Sequence, residues 1–218
     1  ATMVDRTGVD RTGVNTTGAS GWSRIGLVLL GAGRGERFGG GKLAADLGGR
    51  TVLDHAAAPL LALPLGRRVM VAAPGGTVPT GFAGVILVDA GLPQSASLAL
   101  GVGALGTEDL DGILIALADM PLVPLAHYGA LLARFDRTRA ICSAVSSAGG
   151  GARLPPALFP LADRAALLGQ HGDRGARGLL AGADAVAADE ADLIDIDRPE
   201  DLARAADLLA IRAGRKSA

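Results

Sequence analysis

With 218 residues, 49% of them hydrophobic, the chain can bury one substantial core and is too short for two comfortable ones, so a single domain is expected. A formal net charge of -1 gives no chain-wide attraction to nucleic acid or to an anionic membrane, so any phosphate binding must be local. The lone cysteine, Cys142, closes no internal disulfide, no Cys/His spacing matches a zinc site, and every apolar run falls far short of the about 20 residues that span a bilayer, which points to a reducing cytoplasm.

Residues 1–23 repeat a polar, Gly/Thr-rich unit, Asp5 to Val9 and then Asp10 to Val14, and hold no apolar stretch of the signal-peptide kind. They are expected to be a disordered leader or cloning remnant, with Trp22 at its boundary, ahead of one domain over 24–213 and a disordered tail over 214–218. From Ile25 onward, short apolar runs alternate with longer amphipathic ones, the pattern of βαβ units on a mostly parallel sheet. Strands are predicted over 25–30, 68–73, 85–88, 112–118 and 141–146, and helices over 52–61, 95–105 and 125–134. The continuous apolar run over 112–118 should be a central strand buried on both faces. Residues 148–160 are Gly-rich and then Pro-rich, with Pro155, Pro156 and Pro160 excluding a regular helix, and are expected to be loop. A last strand over 192–196 should lead into a helix over 199–211. Asp197 is its expected N-cap, with Pro199 in the first turn and Glu200 at N3. The fold expected is a Rossmann-like α/β/α sandwich of three layers. Apart from the leader's unit no internal repeat is visible, which disfavours a solenoid.

The strongest chemical signal is the run from Leu30 to Lys42, LGAGRGERFGGGK, directly after the first strand. Glycines there let backbone N–H groups approach an anion, and Arg37 and Lys42 supply charge that the chain as a whole lacks. A dinucleotide fingerprint would need glycine where Glu36 stands and an acid after the second strand, where Ala72-Ala73-Pro74 is found. A P-loop would need Ser or Thr where Leu43 follows the lysine, and Glu36 occupies its first glycine position. A Gly-rich surface turn without function is the remaining alternative.

The run resembles the LAAGxSxRMGxxK signature of the molybdenum-cofactor nucleotidylyltransferase family: Leu30, Ala32, Gly33, Arg37, Gly39 and Lys42 match, while Gly31, Gly35 and Phe38 replace the usual Ala, Ser and Met. The resemblance implies that Leu30, Gly31, Ala32, Gly33, Arg37 and Lys42 hold the triphosphate of CTP or GTP. Asp119-Met120-Pro121, at the end of the predicted central strand, resembles the family's metal motif. Its position suits Mg²⁺, with Mn²⁺ as a substitute, although Asp followed by Pro two residues on is also a common turn. The segment from Asp89 to Leu98 resembles the base- and ribose-contacting turn, giving Asp89 and Ser95 nucleotide roles; Ser95 also suits a helix N-cap. Asp195 and Asp197, in a stretch similar to the family's DIDTPEDL, would add a second metal or substrate contact. Asp197 is also explained as a cap, and Asp195 as a solvent-facing strand-end residue. Asp173, Arg174 and Arg177, in a stretch resembling GDxGAR, would receive a phosphorylated acceptor such as molybdopterin, or else form a solvated helix start. His55, His127 and His171 are too scattered for a metal site and are expected to be surface or partly buried.

Carried over from the resemblance, the reaction is CTP plus molybdopterin giving the cytosine dinucleotide cofactor and pyrophosphate, with Arg37, Lys42 and Asp119 as the catalytic set. Ala32, where the guanylyl branch has Gly, and the GDxGAR-like stretch favour cytosine. GTP-dependent transfer, transfer to another phosphorylated small molecule, and a non-catalytic nucleotide-binding accessory of a molybdoenzyme are the alternatives.

Overall fold

A computed structural model of the chain describes residues 21–33, 35–86, 92–107, 109–145, 151–172 and 175–216. In chain order the elements are β1 (Ile25–Gly31), α1 (Val52–Ala62), β2 (Arg68–Ala72), β3 (Ala83–Ile86), α2 (Gln94–Leu105), β4 (Gly112–Leu117) and α3 (Leu125–Arg134). There follow β5 (Ile141–Val145), β6 (Arg153–Pro160), α4 (Arg164–Leu168), β7 (Asp184–Ala188) and α5 (Pro199–Lys216). The strands form one seven-stranded sheet in the order β3-β2-β1-β4-β6-β5-β7. All neighbouring pairs are parallel except those of β6, which runs antiparallel to both β4 and β5.

Side chains alternate across this sheet with a period of two, and each face recruits its own helices. Leu27 and Leu29 of β1, Met70 of β2 and Leu114 of β4 meet Leu53 and Leu60 of α1 and Tyr128 and Leu131 of α3. Val28, Val71, Ile113 and Ile115 point the other way, onto Leu98 and Val102 of α2 and Leu167 of α4. The result is the Rossmann-like three-layer sandwich that the alternating pattern predicts. A third cluster, including Leu47, Val52, Leu122, Ile196 and Ala205, ties α5 to the start of α1 and to the loop after β4. Chain direction reverses across β1 and β4: the chain moves outward from β1 through β2 to β3, then returns to place β4 on β1's other side. A crevice therefore opens beyond the carboxyl ends of β1 and β4, where ligands of open α/β sheets collect.

Three expectations are corrected. The Pro-rich stretch is not loop: β6 pairs Ile113 with Phe159 and Leu114 with Leu158 on one side and reaches β5 on the other. Prolines fit a central strand here because the β5–β6 register shifts between Cys142 and Ser143, leaving Pro155 and Pro156 without a partner in that ladder, while Pro160 ends the strand. Residues 192–196 form no strand. The alternation holds only over 194–196, with Ile194 and Ile196 buried and Asp195 exposed, since Leu193 beside them is buried too. Its first two residues bond back to Asp189 and Glu190 in a 3₁₀ turn, and beyond them the segment gains Ile196 N–H to the Asp119 carbonyl at 2.9 Å rather than a ladder. The strand that completes the sheet is β7, whose Asp-Ala-Val-Ala-Ala sequence carries too little β-branched or aromatic content to announce itself. Finally, Trp22 is not part of a leader: it is 7% exposed and packs in the cluster that holds Ile25 and Phe135.

His127, expected to be surface or partly buried, is buried, and its Nε2 lies 2.8 Å from Ser143 Oγ. The Ser143 hydroxyl donates its only proton to the Pro156 carbonyl at 3.1 Å, so the imidazole must be the donor in its own bond, through Nε2–H. This pair joins α3 to the irregular part of β5 and β6. Burial holds the His127 pKa below the ordinary value of 6.5, partly opposed by Asp192. Because the unfolded chain takes up the proton more readily, the stabilising contribution is complete above the unfolded value and is lost as pH falls through the folded one. Urea midpoints followed from about pH 7.5 down to about pH 5 should therefore decline, and His127→Gln, which keeps an N–H donor, should flatten that decline.

Gly101 sets how closely α2 lies on the sheet. A Cβ there would collide with the Val28 side chain and come within 2.9 Å of Val71 Cγ2, both fixed in the core. Gly101→Ala should lower unfolding free energy by up to about 2 kcal/mol, overpacking of about 1–3 kcal/mol being set against a helix-propensity gain of about 1 kcal/mol; urea unfolding measures it.

Candidate active site

The site is built where two loops leave the sheet at its reversal point. β1 delivers Gly31, and two short 3₁₀ turns follow, Glu36–Phe38 and Lys42–Ala44. Between them Gly39, Gly40 and Gly41 hold φ of 89°, 91° and 68° in succession. A Cβ at any of the three would meet no atom within 4 Å, so the demand for glycine is conformational rather than steric. The left-handed run turns the chain back over its own start, closed by Gly40 N–H to the Gly35 carbonyl at 3.1 Å, and it drives Lys42 inward.

Lys42 is 8% exposed. Its Nζ donates to Asp119 Oδ2 at 2.7 Å and to Asp197 Oδ1 at 3.0 Å, joining the loop after β1, the loop after β4 and the turn before α5. Burial disfavours the ammonium charge, but the attraction and hydrogen bonds of the two carboxylates outweigh it and hold the pKa above the ordinary lysine value. Asp119 Oδ1 is buried without a hydrogen-bond partner. An acceptor oxygen in that state is an open coordination position, and Mg²⁺ commonly takes one or two carboxylates and completes its shell with waters and substrate phosphates. Among the described residues no three carboxylate, His or Cys side chains form a group that could hold a metal ion. Solvent reaches Asp195, yet partial desolvation, followed by repulsion from Asp197 and Asp119, lifts its carboxyl above the usual range. It belongs to the same electrostatic field without touching Lys42.

A cavity of about 540 Å³ opens over these groups. Of the residues expected from sequence, Leu30, Gly31, Ala32, Gly33, Arg37, Lys42, Asp119 and Asp197 all line it. Arg37 stands exposed at its mouth. Ser95 does not line it: the residue is buried, and its backbone N–H donates to the Gly172 carbonyl at 3.3 Å. Gln94 and Ser97 face the cavity instead, a pair that the i, i+3 spacing of a helix beginning at Gln94 places on one side. A boundary drawn one residue late hid that face. Asp89, Asp173 and Arg174 lie outside the described residues, as does the side chain of Arg177, whose backbone belongs to the 3₁₀ turn Gly175–Leu180.

The N-cap expectation for Asp197 is also corrected. The helix starts at Pro199, and Asp201, not Glu200, is its N3 acid. Asp201 Oδ2 accepts from Arg198 N–H at 2.7 Å and Asp197 N–H at 3.1 Å, leaving the Asp197 carboxylate to reach Lys42. A second cavity of about 500 Å³, unforeseen in the sequence, lies against the loop's other side; it shares Gly31, Gly33, Lys42 and Leu43 with the first and is walled by Leu53, Met70 and Pro74.

The model of the MobA-like NTP transferase domain matches residues 27–189. The purine catabolism protein PucB of Bacillus subtilis (strain 168) is 32% identical over 206 residues, a match covering 80% of this chain and 92% of PucB. Among solved structures, Rv0371c from Mycobacterium tuberculosis H37Rv superposes with a TM-score of 0.73 at 22% identity, covering 84% of this chain and 98% of that one. The same protein has been solved in complex with manganese. A nucleotidyl transferase from Methanothermobacter thermautotroptrophicus gives a TM-score of 0.67 at 23% identity, covering 86% of this chain and 98% of that one.

Proposed function

This chain belongs to the MobA-like NTP transferase family and is a nucleotidyltransferase, and we propose that it moves CMP from CTP to molybdopterin, releasing pyrophosphate. The observation that carries the proposal is the buried Lys42 held between Asp119 and Asp197 beneath a glycine loop, with one Asp119 oxygen left over. In the reaction a terminal phosphate oxygen of the acceptor attacks the α-phosphorus of the nucleotide. The bond from that phosphorus to the α–β bridging oxygen breaks, and pyrophosphate leaves with the electron pair. No protein nucleophile is consumed.

The chain's part is to bind, orient and neutralise. The backbone of residues 31–33 and the guanidinium of Arg37 receive the β- and γ-phosphates at the open side of the cavity. Lys42 lies within reach of the same phosphates once a triphosphate competes with its two carboxylates, and so faces the charge that develops on the departing group. Asp119, with Asp197, would hold a divalent ion, Mg²⁺ or Mn²⁺, and Asp195 would add negative field from the rim. When bound, that ion supplies Lewis-acid neutralisation of the phosphate oxygens. Manganese in the structure of Rv0371c supports such a requirement. Asp89 and Gln94 or Ser97 are assigned to ribose and base. Asp173, Arg174 and Arg177 are assigned to the acceptor's phosphate, and a molybdoenzyme would collect the product. Ala32 in the loop favours cytosine over guanine. No helix among the described residues is long and apolar enough to cross a membrane, in keeping with a small-molecule substrate met in water.

Asp119→Asn keeps the shape of the side chain and removes its charge; pyrophosphate release from CTP and molybdopterin should fall by on the order of 10² or more, the scale of one pre-organised electrostatic contact. Turnover at the wild-type rate would refute the role of Asp119. A thermal-shift series with CTP, GTP, ATP and UTP, with and without Mg²⁺, tests the nucleotide. CTP with Mg²⁺ should give the largest rise, about 2.7 kcal/mol of stabilisation at a hundredfold excess over Kd. A larger rise with GTP would move the assignment to guanylyl transfer, and no rise with any of the four would overturn the transferase assignment.

A further inference from the structure

We propose that Asp201, which lies outside the cavity, is a positioning residue that aims the Asp197 carboxylate at the cation site, an inference that rests on the transferase reading above. Three consecutive backbone N–H groups fix the turn before α5. Ile196 N–H donates to the Asp119 carbonyl at 2.9 Å. The next two, of Asp197 and Arg198, both donate to Asp201 Oδ2, at 3.1 and 2.7 Å. The residue after them is Pro199, which has no N–H, so one carboxylate oxygen satisfies the two donors that immediately precede the helix.

The direction of the Asp197 side chain follows from this clamp. On its N-terminal side the chain is held to the loop of Asp119 and anchored by Ile196, which is fully buried. On its C-terminal side it is held by Asp201. With the backbone fixed at both ends and capping supplied from within the helix, the Asp197 side chain is not drawn back over its own helix. Its Oδ1 instead projects to 3.0 Å from Lys42 Nζ, the same ammonium that Asp119 Oδ2 meets at 2.7 Å. Groups that hydrogen-bond to ligating residues rather than to a metal orient those residues, and losing one commonly costs 10–100-fold in metal affinity.

The test is Mn²⁺ titration, read by electron paramagnetic resonance, of the full chain with a non-hydrolysable CTP analogue. Asp201→Ala should weaken Mn²⁺ binding by about tenfold while leaving metal-free binding of the analogue unchanged. Asp201→Asn, which keeps an oxygen acceptor, should recover most of the loss, and Glu200→Ala, the exposed acid next to it, should match wild type. Wild-type Mn²⁺ affinity in Asp201→Ala, or a parallel loss of analogue binding, would overturn the positioning role. A crystal structure of Asp201→Ala separates this from the broader assignment: the contact of Asp197 with Lys42 should open, and an unchanged contact overturns the proposal whether or not Mn²⁺ binds. Wild-type protein that binds no Mn²⁺ beside the analogue overturns the transferase reading instead.

Discussion

A buried ammonium between two carboxylates governs the arrangement of this molecule's working edge. Lys42 comes from the loop after β1, Asp119 from the loop after β4, and Asp197 from the turn before the last helix, and both carboxylates meet the ammonium at 3.0 Å or less. Taking the ammonium out of water is costly, and it stays charged there because the two less buried carboxylates compensate it. Deleting the lysine would leave two carboxylates facing each other across a partly dry pocket; deleting one acid would leave the ammonium short of a partner.

That triad explains features that look unrelated. Three successive left-handed glycines are needed because the chain must double back within a few residues to bring a lysine under its own loop. The close approach of Gly31 to Met70 and Ala118 sets the loop flush on the sheet, since a Cβ there would lie 2.7 Å from Met70 Cε. The bond from Ile196 to the Asp119 carbonyl and the Asp201 clamp bring the third member in from the far end of the chain. Reversal of strand order between β1 and β4 makes the meeting possible, because it puts two strand ends side by side with no helix crossing between them.

Much of the framework could be read along the chain. The helix over 125–134 and the central strand over 112–117 are found almost where their patterns put them, because each carries a strong local period. The glycine loop and Asp119 were also legible, since their chemistry is tied to position after a strand. Other features were not. Pro155 and Pro156 argued against a strand, and only the irregular pairing with β5 makes their missing N–H groups harmless. Ile194 and Ile196 alternate like a strand, yet no neighbour offers them a ladder. Asp197 carries the sequence marks of a cap, but an acid one turn later takes that task.

The sequence by itself determined the segments with a strong local period, among them the strand over 112–117 and the helix over 125–134, and the glycine run that follows the first strand, because periodicity and glycine act over a few residues. Only the tertiary structure decided which acids join the lysine, how deeply Trp22 and His127 are buried, and that Gln94 and Ser97 rather than Ser95 face the cavity. Lys42 is 77 residues from Asp119 and 155 from Asp197. Contacts across such separations depend on the order and direction of strands in the sheet, which no local pattern encodes.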